Sequence, residues 1–284
     1  MEYLKDSELI LNPDGSIYHL NLLPEDIGDI ILTVGDPKRV EMVSRHFDEI
    51  EVKKSKREFI THTGRLGRKR ISVISTGIGP DNIDIVINEL DALANIDLHH
   101  RVPRDKHRSL SIIRLGTSGS LQADIGVDEV VVSGWGVGFD NLLFFYTDYP
   151  KVFNRELARL VEMALDNQIS VYTAQGSEQL FRHFASRFRH GGITITSPGF
   201  YGPQGRRLRL SSILTDAHIR ELQMLRWNEW RITNFEMETA ALFGLSRLLG
   251  HQPLACNTIL ANRATGQFSK DPYRAVERMI VQAL

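Results

Sequence analysis

The sequence contains only one cysteine, Cys256, which excludes an internal disulfide and favours a reducing compartment. Its neighbours Leu254, Ala255 and Ile259 are apolar, and this predicts a buried, unreactive thiol. Residues 1–6 lack the basic and apolar regions of a secretion signal, and no apolar run is long enough to cross a bilayer. We therefore expect a cytoplasmic protein.

Charge of one sign is not in excess either. The 34 Lys and Arg residues against 35 Asp and Glu residues give a formal net charge of −1. This balance provides no overall attraction to nucleic acid or to a membrane surface. We find no internal repeat, low-complexity tract or linker among the 284 residues. We therefore expect one domain over residues 1–284, with residues 1–17 as an N-terminal extension.

Apolar runs closed by glycine or proline alternate with segments of helical spacing. The predicted strands are residues 30–34, 57–63, 70–75, 109–115, 129–133, 169–173 and 254–261. The predicted helices are residues 37–47, 81–94, 155–167, 217–230, 237–250 and a last one from residue 272. This alternation predicts an α/β fold with a layered sheet, in which ligands gather at strand ends.

Residues 97–108 contain three histidines, His99, His100 and His107, among several arginines. Metal binding is the alternative for this stretch, but no acidic or cysteine partner has ligand spacing here. We therefore predict a solvated loop.

Residues 134–138 read Gly-Trp-Gly-Val-Gly after a predicted strand and so mimic a dinucleotide-binding fingerprint. The aromatic, irregular residues 139–149 do not predict the helix that such a site needs. We favour a close-packed turn near a pocket.

Two strand ends carry arginine together with residues that suit an anion. Gly35 ends the first strand, and Arg39 falls in the first turn of the next helix, where anions are favoured. Arg114 precedes a predicted turn, residues 116–119, that contains Thr117. An arginine in an apolar strand needs a partner, which an anionic ligand or a buried salt bridge would provide. The two segments together favour a phosphate pocket.

Residues 234–240 are predicted to begin a helix with two acidic residues, Glu236 and Glu238. Either glutamate could simply complement the helix dipole. Alternatively, one carboxylate accepts sugar hydroxyls while Met237 packs on the sugar.

The loop at residues 200–206 contains Gln204 and Arg206 behind the aromatic pair Phe200 and Tyr201. A glutamine amide can accept from the N3–H of uracil and donate to one carbonyl, while arginine donates to the other. An aromatic ring can cover the base. A plain surface loop with two polar residues is the alternative for this stretch alone.

Taken in order, these pieces resemble the nucleoside phosphorylase-I superfamily, and within it the uridine phosphorylases. The resemblance runs from about residue 19 to the C-terminus, through residues 34–40, 56–59, 75–79, 114–119, 200–206, 234–239 and 262–263. It implies a single-domain, three-layer α/β/α fold around a mixed, partly barrel-like sheet. It also implies reversible phosphorolysis of uridine, with phosphate as co-substrate and no cofactor.

The resemblance assigns roles residue by residue. The phosphate site is Gly35, Arg39, Arg114 and Thr117, together with Arg57 from a neighbouring subunit. The ribose site is Glu236, Met237 and Glu238, together with His19 from across the subunit interface. The base site is Phe200, Gln204 and Arg206, supported by Arg263. Arg206, Gln204 and Arg114 are the catalytic candidates. A homodimer is then the minimal unit, and a hexamer of dimers is the larger alternative.

Two departures bear on cation binding and on the choice of base. Some relatives hold potassium between subunits through residues matching Glu58, Ile78 and a serine, but Asn82 occupies the serine position here. Purine-specific members carry an aspartate where this chain has Asn262, which is a poor general acid.

Three alternatives remain open. They are a purine or broad-specificity phosphorylase, a nucleosidase, and a non-catalytic nucleoside-binding homologue. The three matched arginines argue against a nucleosidase.

Overall fold

The computed structural model describes residues 3–284. The strands are β1 Ile30–Val34, β2 Glu49–Lys56, β3 Phe59–Leu66, β4 Lys69–Ser75, β5 Ile96–Asp97, β6 Val102–Pro103, β7 Ser111–Ser120, β8 Val130–Gly138, β9 Tyr172–Gln175, β10 His190–Thr196, β11 Arg226–Trp227, β12 Trp230–Glu236, β13 Gln252–Asn262 and β14 Gln267–Phe268. The α-helices are α1 Lys38–Ser44, α2 Pro80–Asn95, α3 Arg155–Ala164, α4 Glu178–Ala185, α5 Asp216–Met224, α6 Thr239–Leu248 and α7 Pro272–Ala283. The predicted alternation of strands and helices is confirmed.

The central sheet is mixed and partly closed. Its strand order is β11-β12-β10-β8-β13-β7-β1-β4-β3-β2, and a further pairing of β12 with β7 closes five of these strands into a ring. β1 runs parallel to β4 and β7, whereas β3 pairs antiparallel with both β2 and β4. The predicted α/β class with a partly barrel-like sheet is therefore confirmed.

Helices cover the sheet on both faces. Side chains of α2 and α6 form one apolar cluster, those of α1, α4 and α7 form a second, and α3 and α5 contribute to a third. α2 shows why the sequence folds this way: Ile83, Val86, Ile87 and Leu90 are buried at helical spacing. Pro80 starts this helix after Gly79, whose φ of 105° strongly favours glycine. Among residues 3–284, no helix is long and apolar enough to span a membrane.

The predicted helices 217–230 and 237–250 are wrong at the ends that face each other. α5 ends at Met224, and Trp227 and Trp230 pair across the antiparallel strands β11 and β12. β12 continues to Glu236, so residues 234–236 are extended and α6 begins only at Thr239. β12 pairs with β10 and β7 and buries Ile232 and Phe235 in the core. These long-range pairings override the local helical pattern.

Residues 134–138 are not a turn, because β8 runs through them to Gly138. Their glycines allow close packing instead. A Cβ atom at Gly136 would lie 2.7 Å from the Cα atom of Ala240, and one at Gly138 would lie 2.1 Å from the Tyr172 ring. A short 3-10 helix, Leu142–Phe145, follows in place of the α-helix of a dinucleotide site. The expected close packing is present, but the turn is wrong.

The stretch 97–108 is only partly the solvated loop that we predicted. β5 and β6 form a hairpin here, and the His107 ring stacks on the buried ring of His251. Asp91, His107 and His251 place possible metal ligands close together. However, His251 Nδ1 accepts the Leu110 N–H at 3.1 Å, so its proton is on Nε2, 3.2 Å from Asp91. The His107 Nε2 atom lies 2.9 Å from the Leu249 carbonyl oxygen. His251 Nδ1 and His107 Nε2 are therefore used in hydrogen bonds.

A buried carboxylate follows β8 and should make stability depend on pH. The Tyr172 hydroxyl is 2.8 Å from both carboxylate oxygens of Asp140, and the Leu142 N–H donates to one of them at 3.0 Å. Burial raises the pKa of Asp140 to about 6. The folded state therefore binds more protons than the unfolded state between about pH 4 and pH 6. The contribution of Asp140 to the free energy of unfolding should fall as pH rises through this window.

Asp140→Asn should remove this dependence. The amide oxygen can still accept from Leu142 and Tyr172, and the Tyr172 oxygen can accept from the amide N–H. We expect the free energy of unfolding at pH 7.5 to rise by about 3 kcal/mol, because the pKa rises from about 4 to about 6 and one pKa unit is worth about 1.4 kcal/mol. Urea titrations at pH 4.5 and pH 7.5, at one protein concentration, measure this. Asp124→Asn is the control, since Arg231 lowers the pKa of Asp124. Equal pH dependence in Asp140→Asn and the native sequence would contradict the expectation.

Candidate active site

A cavity of about 640 Å³ opens where β1, β7 and β12 end beside the loop at residues 200–206. Ten of the residues selected from the sequence line it: Gly35, Arg39, Arg114, Thr117, Phe200, Gln204, Arg206, Glu236, Met237 and Glu238. These residues come from segments far apart in the chain, and the sheet brings them together. This position at strand ends is where α/β sheets commonly bind ligands.

Arg114 lies at one side of this cavity and is 4% exposed. Its Nη2 atom donates to Glu238, and its Nε atom is 3.4 Å from Glu236. Within residues 3–284, Nε and Nη1 have no partner with hydrogen-bond geometry. A buried N–H without an acceptor is costly, and an anion in the cavity would supply one. The two sequence alternatives therefore coexist, because Arg114 forms a buried salt bridge and keeps donors for a ligand.

Arg39 adds a second guanidinium to the same cavity. Burial lowers the pKa of Arg39, and the nearby charge of Arg114 lowers it further. Two mutually repelling cations in one cavity favour a multiply charged anion between them. Gly35 allows the chain to pass closely there, since a Cβ atom would lie 3.3 Å from the Gly77 carbonyl oxygen.

The predicted turn at residues 116–119 is wrong, because β7 continues to Ser120. Gly119 pairs with Phe235 of β12, and Thr117 pairs with Thr258 of β13, so neighbours hold both edges of the strand. Thr117 and Ser118 therefore line the cavity as part of a strand. The Ser118 hydroxyl is buried without a protein partner in the described chain. This rigid placement suits small ligands.

Glu236 and Glu238 have different surroundings. The Glu236 carboxylate accepts the N–H groups of Glu238 and Thr239 at 2.9 to 3.0 Å and the Thr196 hydroxyl at 2.6 Å. Glu236 therefore caps α6, as the helix-dipole alternative describes. Glu238 instead accepts the Gly79 N–H at 2.9 Å and pairs with Arg114. Burial raises the pKa of Glu238, and the Arg114 charge opposes this. Glu238 is therefore tied to Arg114 and Gly79, and not to the N–H groups at the start of α6.

The loop at residues 200–206 holds its polar groups by internal contacts. Arg206 Nη1 donates to the Phe200 carbonyl oxygen at 2.8 Å and to the side-chain oxygen of Gln204, which is 2% exposed. The Arg206 guanidinium also lies 4.0 Å from the Phe200 ring centroid. Burial lowers the pKa of Arg206. With its oxygen held by Arg206, Gln204 keeps its N–H donors and a second lone pair for a base.

Arg263 does not line the cavity but supports this loop. Its Nη1 atom donates to the backbone oxygen of Gln204. Burial lowers the pKa of Arg263 to about 10, and the Arg206 charge contributes. The observed contact agrees with a supporting position rather than a direct contact with a ligand.

His19 and Arg57 lie outside the cavity of their own chain. Arg57 is exposed at the tip of the β2–β3 hairpin, with no ion pair in the described chain. His19 Nδ1 is 2.6 Å from Glu89, a contact that sequence reasoning missed because it spans 70 residues. Lys56 donates to the Tyr18 carbonyl oxygen and so joins the two segments. One surface therefore presents both His19 and Arg57.

The residues considered for potassium lie at the edge of the cavity. Ile78 lines it and is exposed, while Glu58 and Asn82 flank Gly77. A Cβ atom at Gly77 would lie 2.5 Å from the Asn82 side-chain nitrogen and 3.2 Å from Glu58 Cγ. An amide nitrogen cannot bind a cation. A potassium ion would therefore fit here only if the side-chain oxygen of Asn82 pointed toward it.

Asn262 is directed away from the cavity. Its amide nitrogen donates to the carbonyl oxygens of Gln122 and Ile125 at 2.9 and 2.8 Å. Its oxygen accepts the N–H groups of Ala264 and Thr265, both at 2.9 Å. The Asn262 side chain therefore stabilises a turn. Its relevance to the choice of base is only that it is not a carboxylate.

Comparison with known proteins gives the same family. The model of the phosphorylase superfamily matches residues 29–282. A uridine phosphorylase from Thermococcus kodakarensis is 29% identical over 90% of this chain and 81% of its own length. A DeoD-type purine nucleoside phosphorylase from Streptococcus suis is 27% identical over 85% of this chain and 84% of its own length.

Solved structures agree with this. A Trypanosoma brucei nucleoside phosphorylase, described as having uridine phosphorylase activity, superposes with a TM-score of 0.87 and 28% identity. That match covers 97% of this chain and 99% of the other. A Phytophthora capsici uridine phosphorylase shares the fold, with a TM-score of 0.75, 21% identity and coverage of 99% and 98%. The resemblance seen in the sequence is confirmed: the chain belongs to the phosphorylase superfamily.

Proposed function

We propose that this protein catalyses the reversible, phosphate-dependent cleavage of uridine to uracil and ribose 1-phosphate. The observation that carries the proposal is a single cavity lined by the cations Arg39 and Arg114, the acceptor Glu238 and the Gln204–Arg206 pair. These groups complement a phosphate, a ribose and a pyrimidine, respectively. The similarity to several uridine phosphorylases supports the choice of base.

The reaction needs no nucleophile from the protein. A phosphate oxygen forms a bond to C1′ while the C1′–N1 bond breaks, and the bonding electrons leave with the base. Arg39, Arg114 and Thr117 hold the attacking phosphate, which contributes through positioning. Gln204 and Arg206 stabilise the negative charge that grows on the uracil carbonyls, as an oxyanion hole would. A proton from solvent then converts the departing anion to uracil.

We also propose a homodimer as the minimal active unit, with a hexamer as a larger alternative. His19 and Arg57 share a surface outside their own cavity, and each would complete the ribose or phosphate site of a second copy. Phosphate is a co-substrate, and no cofactor is required. Potassium at Glu58, Ile78 and Asn82 stays a proposal. We further propose that the chain forms a single domain and acts in pyrimidine salvage in the cytoplasm.

Cleavage of uridine, thymidine and inosine, each with and without phosphate, tests the proposed reaction. We expect uridine to be cleaved only with phosphate and to yield ribose 1-phosphate. Cleavage without phosphate would indicate a nucleosidase, and preferred cleavage of inosine would indicate a purine enzyme. Uridine binding without turnover would identify a binding protein, and each of these three results would overturn the proposal.

A further inference from the structure

The carboxylate of Glu89, on α2, is surrounded by donors from one short segment of chain. It accepts the His19 N–H at 3.1 Å, the Leu20 N–H at 2.8 Å and the ring Nδ1 of His19 at 2.6 Å. The Glu89 side chain is only 13% exposed. A partly buried carboxylate with three donors is a strong and directional anchor.

This contact fixes which nitrogen of His19 carries the proton. A carboxylate only accepts hydrogen bonds, so Nδ1 must be the protonated nitrogen. In the neutral imidazole, Nε2 is then an acceptor with a free lone pair. The position of the ring is restrained as well. Lys56 donates to the Tyr18 carbonyl oxygen, and the Phe59 ring packs edge-on to the His19 ring, with 6.4 Å between the ring centroids.

We propose that Glu89 is a positioning residue that makes His19 a fixed hydrogen-bond acceptor for the ligand's 5′ group. This inference rests on the proposed function, in which His19 reaches the ribose in the cavity of a second copy. A nucleoside with a donor at the 5′ position should then be preferred. A nucleoside with only an acceptor at the 5′ position would place its lone pair opposite the lone pair of His19 Nε2, and the two would repel. The Glu89–His19 pair would thus determine specificity for the 5′ group of the ribose, which contacts neither the phosphate site nor the base site.

Substrate analogues test the polarity of this subsite without any mutation. Uridine and 5′-amino-5′-deoxyuridine carry a donor, 5′-deoxyuridine carries no polar group, and 5′-deoxy-5′-fluorouridine carries a weak acceptor alone. We expect kcat/KM for 5′-deoxyuridine to be about tenfold below that for uridine, as for loss of one hydrogen bond. The fluoro analogue should be no better than 5′-deoxyuridine, and the amino analogue clearly better. A fluoro analogue cleaved as well as uridine would overturn the inference.

Glu89→Gln tests whether Glu89 is responsible. A glutamine can turn its NH₂ toward His19 Nδ1, which moves the ring proton to Nε2 and removes the charge. We expect the ratio of kcat/KM for 5′-amino-5′-deoxyuridine, whose protonated amine can only donate, to that for 5′-deoxyuridine to fall toward one. The rate on 5′-deoxyuridine itself should change little. A purely structural role would lower both rates equally and keep the ratio, and that result would reject the proposal.

Asp26→Asn is the matched control, because it also removes a carboxylate from the N-terminal part of the chain. Asp26 accepts the Leu23 N–H at 2.7 Å and binds Lys54 at 2.7 Å, but it does not contact His19. Its substrate ratio should stay as in the native sequence. If Glu89→Gln does not fold, the analogue series on the native protein still decides the polarity. Absence of uridine cleavage by the native protein would instead refute the proposed function, so the two failures are distinguishable.

Discussion

Arg206→Ala should lower kcat for uridine phosphorolysis by about 10²- to 10³-fold, as loss of one oxyanion-hole donor does. Its guanidinium holds the Gln204 side-chain oxygen, stacks on Phe200 and faces the cavity. Removing it takes away a donor to the leaving base and also frees the Gln204 amide to rotate. The KM for phosphate should change little, because Arg39 and Arg114 are untouched. Steady-state kinetics with each substrate varied in turn measures both quantities.

Arg207→Ala is the matched control for this result. Arg207 is the next residue, is exposed, and its one ion pair in residues 3–284 is with Asp216 at 3.5 Å. It carries the same charge but does not line the cavity. We expect near-native kinetics from this variant. Equal losses in Arg206→Ala and Arg207→Ala would mean that the loop's net charge matters and not a directed hydrogen bond.

A more acidic leaving group sharpens the same test. 5-Fluorouracil is a stronger acid than uracil and leaves with less help from the protein. If Arg206 stabilises the leaving anion, Arg206→Ala should lose less activity on 5-fluorouridine than on uridine. Near-normal turnover of uridine by Arg206→Ala would contradict this account of catalysis. Losses of the same size on both substrates would assign Arg206 to binding the base and not to its departure.

Local signals in the sequence predicted the part of the fold that forms the phosphate side. An apolar run closed by glycine gave β1 and its turn at Gly35, and the strand matches the structure from Ile30 to Val34. The apolar spacing of residues 81–94 likewise gave α2, which extends only one residue further at each end. In both cases a short segment contains all the information, because burial follows directly from its own periodicity.

The strand β12 could not be predicted in the same way. Its residues Asn234 and Glu236 are polar yet buried, because their partners lie on other strands. Asn234 accepts from the hydroxyl of Thr194, and Glu236 accepts from that of Thr196. These contacts join residues 40 positions apart and decide the structure after the sheet has formed. Local pattern therefore favoured a helix, while tertiary contacts favour a strand.

The site itself was more predictable than its surroundings. Arginine in an apolar strand is unusual enough to mark Arg114 from sequence alone, whereas Gln204 and Arg206 are marked only together with the other segments of the chain. The division of labour between Glu236 and Glu238 was not predictable. It depends on which carboxylate meets the N–H groups at the start of α6 and which meets Arg114. Tertiary packing sets these positions, and residue spacing in the sequence does not indicate them.

Mixing two impaired variants should restore activity if Arg57 acts on the cavity of its partner. Arg57→Ala removes one charged contact to phosphate and should lower kcat/KM for phosphate by about 10- to 100-fold. Arg206→Ala damages the base site of its own chain. In a heterodimer of the two, the chain with an intact loop receives Arg57 from the other chain. One of the two sites is then complete, and the other carries both defects.

Random exchange of equal amounts makes half of the dimers mixed, so about a quarter of all sites should be complete in a twofold dimer. Activity at low phosphate should therefore rise to about a quarter of the native value, well above that of either variant alone. Co-expression with two affinity tags isolates the mixed dimer, whose activity should approach half of the native value. Arg206→Ala mixed with Gln204→Ala is the control, since both changes affect the same loop. Every site in that mixture stays damaged, and no activity should return. If the Arg57→Ala mixture shows only the average activity of its two variants, Arg57 does not serve the neighbouring cavity and the proposed dimeric site is wrong.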